Sequence, residues 1–354
     1  MNNTTATTKT FHVALTADFF SGDGSSKFQE MGLSVLDESA HVQYASLKTY
    51  QSNISFDQIT GAQGVIVMKP CVTAETVRQS DNLIAIGRFG VGYDAVDVQA
   101  CTEADVVVFI TAGAVDRSVA EATIGWMLGL THRMRIKDQL VRTGQWDERS
   151  KYMGCELRDR TFGAVGFGGI ARETIQLLKS FGMNKPLAFD PYVDSTTADA
   201  LGVELVELDE LLVQADFVSI HCPLTEATRN MIDERELGLM KPNAYLINTA
   251  RGGIVNEDVL YNALTSQHIA GAAIDCFAVD PVTSPHRFSD LDNVLLAPHS
   301  IAWTNELFRD IGQAVCQGMV DLSLGRIPAR GVINPQVLES KRFQDKWARW
   351  RIDQ

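Results

Sequence analysis

The sequence predicts an α/β protein with two parallel, doubly wound sheets. Two series of short apolar runs alternate with segments of helical periodicity, one before about residue 116 and one after residue 160. Such alternation is typical of parallel strands covered by helices on both faces. The chain has 354 residues, which is too long for one hydrophobic core and suits two domains.

The first series contains four predicted strands, followed by a long predicted helix. The strands are FHVALT (11–16), GVIVM (64–68), LIAI (83–86) and VVVFI (106–110). VTAETVRQS and DAVDVQACTEA are expected to be helices, with Asp94 as the N-cap of the second. A helix is then expected from Ser118 to about Arg142, where Ser118 and Glu121 have the capping-box spacing. Its apolar residues surround most of the helix, which predicts packing on the next domain and on a partner subunit.

The second series contains six predicted strands and four predicted helices. The strands are TFGAVGF, PLAFD, DFVSIHC, AYLINTA, AGAAID and NVLLAP. The helices are ARETIQLLKSFG, LDELLVQA, DERELGLM and NEDVLYNALTSQH. A further helix is expected from Thr304, and a polar tail with Trp347 and Trp350 follows it. This order is that of a doubly wound parallel sheet followed by a return segment.

The composition argues against several classes of function. The net charge is −13, which disfavours binding to nucleic acid or to an anionic membrane surface. The six cysteines are scattered and form no CxxC pair, so neither a disulfide framework nor a zinc site is expected. The polar N-terminus does not resemble a secretory signal, and no run of about 18 apolar residues occurs. A cytoplasmic enzyme without a metal is therefore expected.

A glycine-rich segment lies between the first strand and the first helix of the second series. Gly166-Phe167-Gly168-Gly169-Ile170-Ala171 has the GxGxxA pattern. Gly166 permits a tight turn, and Gly168 lets the backbone approach a pyrophosphate at the helix N-terminus. Gly169 and Ile170 open the helix, and Ala171 is small enough for helix–strand packing. The motif alone is weak evidence for a dinucleotide site, because glycine-rich turns between strand and helix are common.

Asp190 strengthens the prediction of a dinucleotide site. It ends the next strand, LAFD, 24 residues after Gly166. A carboxylate at this position accepts hydrogen bonds from ribose hydroxyls and repels a 2′-phosphate. No Arg or Lys occurs between Asp190 and Leu201. We therefore expect the cofactor to be NAD rather than NADP.

Three ionisable residues follow the later strands of this series. Arg251 follows AYLINTA, Asp280 follows AGAAID, and His299 follows NVLLAP. In an open α/β sheet, ligands bind beyond the carboxyl ends of the strands. A guanidinium, a carboxylate and an imidazole at this edge predict a site that binds an anion and transfers a proton.

The chain closely resembles the D-isomer-specific 2-hydroxyacid dehydrogenase family from about Gly87 to Leu324. The matching motifs are GRFGVGYDAVD, SVAEATIGWML, GAVGFGGIAR, HCPLTEATRNMID, NTARGGIVNEDVL, GAAIDCFAVDP and APHS. The resemblance implies a Rossmann NAD domain, residues 117–301, inserted in a flavodoxin-like substrate domain. That substrate domain would combine residues 1–116 with the return segment 302–354. The implied reaction moves a hydride between NAD(H) and a small 2-oxo or 2-hydroxy acid, in a homodimer.

The resemblance also implies catalytic roles. Arg251 matches the arginine that holds the substrate carboxylate, a task suited to a planar guanidinium. His299 matches the general acid/base. Asp280 occupies the position where the family normally has Glu, and a carboxylate there favours the protonated imidazole of His299. Because Asp is one methylene shorter, some adjustment is expected for it to reach His299, and a turn role before Pro281 is the alternative.

Further positions match residues that contact the cofactor or the substrate. Cys222, Pro223 and Thr228 correspond to the loop beneath the nicotinamide. Thr249, Ala250 and Asp275 correspond to residues near its ribose and carboxamide, and Arg251 and His299 also border the cofactor. Gly90, Val91 and Gly92 match the loop whose N–H groups meet the substrate carboxylate. Lys69 departs from the family's usual Arg-Ser and either faces a second anionic group or lies in solvent. Trp303 either narrows the pocket or packs in the hinge helix.

Two other functions remain open from the sequence. Transcriptional corepressors resemble the same family, so the chain could bind NAD without catalysis. Phosphite and formate dehydrogenases also resemble it, which would change the hydride donor. The Arg251–Asp280–His299 set favours catalysis on 2-oxo acids. The acid at position 280 disfavours formate dehydrogenase, which has an amide there.

Overall fold

A computed structural model describes residues 9–79 and 81–352 of the chain. Within these residues twelve strands are formed. They are β1 (Phe11–Leu15), β2 (Val42–Ser46), β3 (Gly64–Val67), β4 (Ala85–Arg88), β5 (Val107–Ile110), β6 (Phe162–Val165), β7 (Leu187–Phe189), β8 (Glu204–Leu205), β9 (Phe217–Ile220), β10 (Tyr245–Asn248), β11 (Gly271–Ile274) and β12 (Val294–Leu296).

Helices connect most of these strands. Over the same described residues the α-helices are α1 (Ser34–Asp37), α2 (Ala74–Val77), α3 (Val98–Glu103), α4 (Asp116–Thr131), α5 (Met134–Arg142), α6 (Gly169–Leu178), α7 (Ser195–Asp199), α8 (Leu208–Gln214), α9 (Glu234–Leu239), α10 (Glu257–Thr265), α11 (Asn305–Ser323) and α12 (Lys341–Trp350). Short 3₁₀ turns at several connections complete the secondary structure.

The chain divides into two compact units. Unit 1 combines the residues up to Val115 with those from Thr304 onward, and unit 2 runs from Asp116 to Trp303. The predicted boundaries, after residues 116 and 301, lie one and two residues from these positions.

Unit 1 contains a five-stranded parallel sheet. Its strand order is β2-β1-β3-β4-β5, one of the two common orders of doubly wound folds. β3 is buried along its whole length, as expected for a strand covered on both faces. The predicted α/β class is confirmed.

The return segment of the chain is joined to the edge of this sheet by Asn334. The Asn334 side chain is fully buried. Its Oδ1 accepts a hydrogen bond from the Val108 N–H at 2.8 Å, and its Nδ2 donates to the Val106 carbonyl at 2.9 Å. The Ile333 N–H donates to the Val108 carbonyl at 2.8 Å. The amide thus satisfies backbone groups of the edge strand that would otherwise be buried without partners.

Unit 2 contains a seven-stranded parallel sheet with the order β12-β11-β10-β9-β6-β7-β8. The order reverses between β6 and β9, which is the topological switch point where dinucleotide-binding folds place their ligand. β6, β9, β10 and β11 are buried along their whole length, and apolar clusters cover the two faces of the sheet. All six strands predicted for this series are present.

The long helix predicted from Ser118 to Arg142 is wrong in two respects. It is interrupted at His132 and Arg133, and Arg133 has a left-handed backbone with φ of 56°. The helix also begins at Asp116, so Ser118 lies within α4 and does not form the predicted capping box. Glu121 instead pairs with Arg117 at 2.5 Å.

Other differences occur where the apolar signal is weak. The N-cap of α3 is Asp97, whose carboxylate accepts from the Ala100 N–H at 2.9 Å, and the predicted cap Asp94 is wrong. The polar tail, for which no helix was predicted, contains α12, which buries Phe343 and Trp347. The edge strand β2 was not predicted, because only Val42 within it is buried.

Asn334→Ala should destabilise the protein by about 2–4 kcal/mol, because two buried backbone groups lose their partners. Denaturant unfolding would measure this change. Asn262→Ala provides the control, since Asn262 is exposed in α10. Its effect should stay within about 0.5 kcal/mol. A loss below about 1 kcal/mol at Asn334 would contradict the role assigned to its amide.

Candidate active site

The predicted site residues of unit 2 follow the carboxyl ends of its parallel strands. The glycine-rich turn follows β6, Asp190 follows β7 and Cys222 follows β9. The later loops after β10, β11 and β12 carry the ionisable residues, which are Arg251, Asp280 and His299. Since all these strands are parallel, their carboxyl ends lie at one edge of the sheet.

The turn after β6 has the geometry that its glycines predict. Gly166 has φ of 95°, and a Cβ atom there would lie 2.7 Å from the Cys222 nitrogen. Gly168 is the N-cap of α6, and a Cβ atom there would meet no heavy atom within 4 Å. Gly169 and Ile170 begin α6, and Ala171 is fully buried. The N-terminus of α6 is therefore open on the side where an anion would bind.

Asp190 is held in place by the backbone around it. Its Oδ2 accepts from the Phe167 N–H at 2.8 Å, and its Oδ1 accepts from the Tyr192 N–H at 2.9 Å. Each oxygen keeps acceptor capacity, because a carboxylate oxygen has two lone pairs. The carboxylate is thus fixed beside the glycine-rich turn and can still accept from hydroxyl groups.

The loop after β9 is closed by Thr228. The Thr228 hydroxyl donates to the Pro223 carbonyl at 2.7 Å and accepts from the Thr225 N–H at 2.7 Å. Burial raises the pKa of the Cys222 thiol to about 11. The protonated thiol is a poor nucleophile at neutral pH, which argues against Cys222 as a catalytic thiol.

Arg251 lies on a loop supported by the last residue of β10. The Asn248 side chain accepts from the Ala250 N–H at 3.1 Å and donates to the Arg251 carbonyl at 2.8 Å. The Arg251 guanidinium donates to the Ala250 carbonyl at 2.6 Å. Asn248 is buried at the end of β10, and its side-chain amide holds the backbone of the turn that carries Arg251.

The Arg251 loop packs directly on the loop that leads to Asp280. A Cβ atom at Gly252 would lie 1.9 Å from the Phe277 carbonyl oxygen, so only glycine fits there. Asp280 Oδ2 lies 2.5 Å from His299 Nδ1. The shorter acid therefore reaches the imidazole, and the geometry is that of a carboxylate–histidine pair. Nε2 is then the ring nitrogen that can exchange a proton with a ligand.

Asp275 fixes the backbone on either side of His299. Its Oδ1 accepts from the N–H groups of Ser300 at 2.9 Å and Ile301 at 3.2 Å. Its carbonyl accepts from the His299 N–H at 2.9 Å. Burial raises the pKa of Asp275, and the two backbone donors oppose that effect.

Sequence reasoning missed two supporting residues, Asn248 and Glu257. Glu257 begins α10; its Oε1 accepts from the Ala278 N–H at 2.6 Å and its Oε2 lies 3.4 Å from His286 Nε2. It thereby anchors the loop that precedes Asp280. Both residues lie within or beside the segment NTARGGIVNEDVL, whose spacing alone does not reveal these contacts.

The remaining predicted residues, Gly90, Val91 and Gly92, lie in unit 1 just after β4. The Gly90 carbonyl accepts from the Thr111 N–H at 3.1 Å. At the end of β3, the Lys69 N–H donates to Asp18 Oδ2 at 2.9 Å, and the Lys69 residue is exposed. Trp303, at the end of unit 2, is 48% exposed.

The carboxyl edge of unit 2 fits a dinucleotide. Two buried polar atoms at this edge, His221 Nε2 and Thr249 Oγ1, lack hydrogen-bond partners. Buried polar groups without a protein partner are expected where a ligand supplies one. An acid, Asp116, lies against Gly169; burial raises the pKa of its carboxyl, and the charge of Glu173 adds to that shift.

The described part of the chain offers neither a metal cluster nor a membrane span. Residues 9–79 and 81–352 contain no cluster of three or more His, Cys, Asp or Glu side chains suited to a metal ion. Over the same residues, no helix has the length and apolar character needed to cross a bilayer.

Comparison with known proteins identifies the family. Residues 124–300 match the NAD-binding domain of the D-isomer specific 2-hydroxyacid dehydrogenases. A glyoxylate reductase from Thermofilum pendens is 37% identical over 77% of this chain and 81% of its own. The chain belongs to the D-isomer-specific 2-hydroxyacid dehydrogenase family. Residues 124–300 are its NAD-binding domain, so the predicted cofactor class is confirmed.

Two further relatives and one solved structure extend the comparison. A D-3-phosphoglycerate dehydrogenase from Methanocaldococcus jannaschii is 34% identical over 88% of this chain. This chain covers only 59% of that relative's length, and 51% of a D-3-phosphoglycerate dehydrogenase from Archaeoglobus fulgidus. A solved structure from Thermus thermophilus superposes with a TM-score of 0.78 at 26% identity, covering 91% of this chain and 100% of its own.

Cys222 should resist alkylation in the folded protein. With a pKa of about 11, its thiolate fraction at pH 8 is about 0.1%, against about a quarter for an unperturbed thiol. Iodoacetamide should therefore modify Cys222 about two orders of magnitude more slowly than a free thiol at pH 8. Peptide mass spectrometry would measure the rate, with urea-unfolded protein as the control. Rapid modification of folded Cys222 would contradict this assignment.

Proposed function

We propose that the protein is an NAD-dependent oxidoreductase that interconverts a small 2-oxo acid and the matching D-2-hydroxy acid. The observation that carries the proposal is the Asp280–His299 pair, in which the loop leading to Asp280 packs on the loop of Arg251. A guanidinium that binds a carboxylate and a histidine that exchanges a proton are the two groups this reaction needs.

Arg251 anchors the substrate. Its planar guanidinium pairs with the substrate carboxylate and polarises the adjacent carbonyl, because its two parallel N–H donors match the geometry of the carboxylate oxygens. The backbone contacts made by Asn248 support the turn that presents it. In unit 1, Gly90, Val91 and Gly92 match the substrate-binding loop of the family, and this resemblance supports the assignment of unit 1 as the substrate domain.

His299 is the general acid and base. In reduction, its Nε2 gives a proton to the carbonyl oxygen of the 2-oxo acid, and in oxidation it removes that proton from the hydroxyl. Asp280 orients the ring through Nδ1 and stabilises the imidazolium by its negative charge. Asp275 acts through the backbone and keeps His299 in position.

NAD is held by the residues around the switch point of the sheet. The turn at Gly166, Gly168 and Gly169, with Ile170 behind it, receives the pyrophosphate at the N-terminus of α6. Asp190 accepts from the adenosine ribose, whereas Cys222, Pro223, Thr228, Thr249, Ala250 and Asp275 surround the nicotinamide end. In this site, bound NADH would be the source of the hydride for C2 of the 2-oxo acid, and these residues would hold the cofactor.

A screen of 2-oxo acids tests the proposed reaction and also identifies the preferred substrate. Loss of NADH absorbance would be followed with glyoxylate, hydroxypyruvate, 3-phosphohydroxypyruvate, phenylpyruvate and 4-methylthio-2-oxobutyrate. Chiral analysis of the product should give the D-isomer wherever C2 is a stereocentre. NADH binding without turnover of any acid would favour a binding protein, and turnover with formate or phosphite alone would favour a different donor.

Asp280→Asn should shift the pH dependence of both directions. The substitution removes a negative charge beside Nδ1 and nearly preserves shape, so the imidazolium is less favoured. Reduction, which needs protonated His299, should then lose activity at a lower pH than in the parent. Oxidation, which needs the neutral ring, should extend to lower pH. Rate profiles in both directions provide the measurement, and unmoved profiles would leave Asp280 only a turn role.

Two further variants provide reference values for the loss of activity expected in Asp280→Asn. His299→Ala removes the proton relay and should lower kcat about 10²–10⁴-fold. Arg251→Ala leaves the substrate carboxylate unpaired and should cost about 2–5 kcal/mol in kcat/KM. Asp280→Asn should cost less than either of them.

NADH should be preferred over NADPH by well over tenfold in kcat/KM, which is more than about 1.4 kcal/mol of discrimination. The reason is the fixed Asp190 carboxylate, which repels a 2′-phosphate, and the absence of Arg or Lys from 191 to 200. Steady-state kinetics with both cofactors would test it. Equal values would show that Asp190 does not meet the ribose.

We also propose that the chain forms a cytoplasmic homodimer through unit 2. α5 and the segment after it expose four apolar side chains: Met134, Val141, Trp146 and Met153, between 52% and 78% exposed. Exposed apolar clusters mark interaction surfaces. All six cysteines are free, which suits a reducing compartment.

Trp146→Glu should weaken such a dimer, because it places a charge within an apolar interface. Sedimentation velocity at micromolar concentration would measure the monomer fraction. Tyr192→Glu is the matched control, since Tyr192 is 94% exposed outside this cluster. A parent protein that sediments as a monomer would refute the proposal.

A further inference from the structure

A cavity of unit 2 lies at the amino-terminal edge of its sheet. It has a volume of about 440 Å³. Tyr245 begins β10, and Ala270 and Asn293 immediately precede β11 and β12. Arg133 and Arg160 complete its charged wall. The residues of the proposed catalytic site follow the opposite, carboxyl ends of the same strands, so the two sites share no residue.

Two guanidinium groups face this cavity without a carboxylate partner. Among residues 9–79 and 81–352, neither Arg133 nor Arg160 forms an ion pair with Asp or Glu. Arg160 donates to the Glu156 carbonyl at 2.5 Å, which leaves its charge uncompensated. Both arginines are half-buried in a chain with a net charge of −13. Partly buried cations normally have an anion beside them.

The nearby acids are already paired with other arginines. The Glu156 carboxylate contacts Arg158 at 2.8 Å, and Asp292 contacts Arg135 at 3.3 Å. Neither acid lines the cavity. Within one copy of the chain, the positive charge of the cavity wall is therefore not neutralised. Met153, which belongs to the surface proposed for the dimer, also lines the cavity.

Neutral hydrogen-bonding groups complete the lining. Tyr245 is buried, with its ring stacked on Phe217 at 5.4 Å between centroids. Burial and the adjacent Cys155 thiol raise the pKa of Tyr245, and the nearby guanidinium groups of Arg133 and Arg160 oppose that shift. The amide side chains of Asn243 and Gln267 also line the wall. Hydroxyl and amide donors beside guanidinium groups suit an oxyanion.

We propose that this cavity binds a small multivalent oxyanion, such as a phosphate or a compact polycarboxylate. Arg133 and Arg160 supply the charge, because a guanidinium matches the planar arrangement of phosphate and carboxylate oxygens. Tyr245, Asn243 and Gln267 supply neutral donors. The volume lies within the range of small-molecule sites and exceeds that needed for a single ion.

Calorimetric titration with inorganic phosphate at constant ionic strength tests the proposal. The Arg133→Gln/Arg160→Gln double variant should lose one saturable site that the parent shows, and each single variant should weaken it about tenfold or more. Arg158→Gln is the matched control, because Arg158 is exposed, paired with Glu156 and outside the cavity. Phosphate bound at the glycine-rich turn would persist in the double variant, so the difference isolates this cavity.

Cys155 gives a readout specific to the site. It lines the cavity and is half-exposed, so bound phosphate should slow its modification by iodoacetamide. The rate at half-exposed Cys71 in unit 1 should not change. Citrate, tested in parallel, distinguishes a polycarboxylate from a phosphate preference.

The proposal is overturned if neither anion binds saturably, or if the double variant binds as the parent does. If a carboxylate of a second copy fills the cavity, neither anion should bind saturably. That result should then appear only at protein concentrations where a dimer forms. Neither outcome depends on turnover, so failure of this proposal is distinct from failure of the proposed reaction.

Discussion

The buried carboxylate of Asp275 is the interaction on which the proposed catalytic edge depends. Asp275 follows β11 directly and accepts two backbone N–H groups from the loop after β12, while its carbonyl accepts a third from His299. Hydrogen bonds to a charged acceptor contribute about 1.5–3 kcal/mol each, roughly twice the value of neutral ones. Hydrogen bonds to Asp275 thus hold the loop of His299 at the end of the neighbouring strand β11. Apolar packing alone would not fix the loop at this exposed edge.

That tie also offsets the local strain of His299. Its backbone has φ of 53°, in the left-handed region, which costs roughly 1–2 kcal/mol for a residue other than glycine. The free energy of the hydrogen bonds to Asp275 is large enough to offset the cost of this backbone conformation. The left-handed conformation of His299 sets the direction of its imidazole, whose Nδ1 contacts Asp280. A relaxed backbone at this position would point the ring elsewhere.

The sequence predicted those parts of the fold that have a continuous apolar signal. β6, β9, β10 and β11 are wholly buried, and their runs of Val, Ile, Leu and Ala identified them. β2 could not be found in this way because it is an edge strand with one buried residue. The break at Arg133 has no signal in composition, because Thr131 to Arg135 contains neither glycine nor proline.

The site could be predicted only as far as motifs identify residues that face a ligand. Arg251 and His299 could be proposed as site residues because they follow strands in known motifs, whereas the residues that support their loops make contacts between distant parts of the chain. Glu257 meets Ala278 across 21 residues, and Asp275 meets Ser300 across 25. No local periodicity encodes such pairs.

The contact between the loops of Arg251 and Asp280 shows why the shorter acid suffices. Gly252 lets the Arg251 loop lie against the Phe277 carbonyl, and Glu257 holds the next residue, Ala278, through its backbone N–H. These two contacts fix the backbone of the segment that leads to Asp280. The path of that segment, and not side-chain length alone, therefore sets the distance from the carboxylate to His299. A glutamate on the same backbone would have to fold back to keep the 2.5 Å contact that Asp280 makes directly.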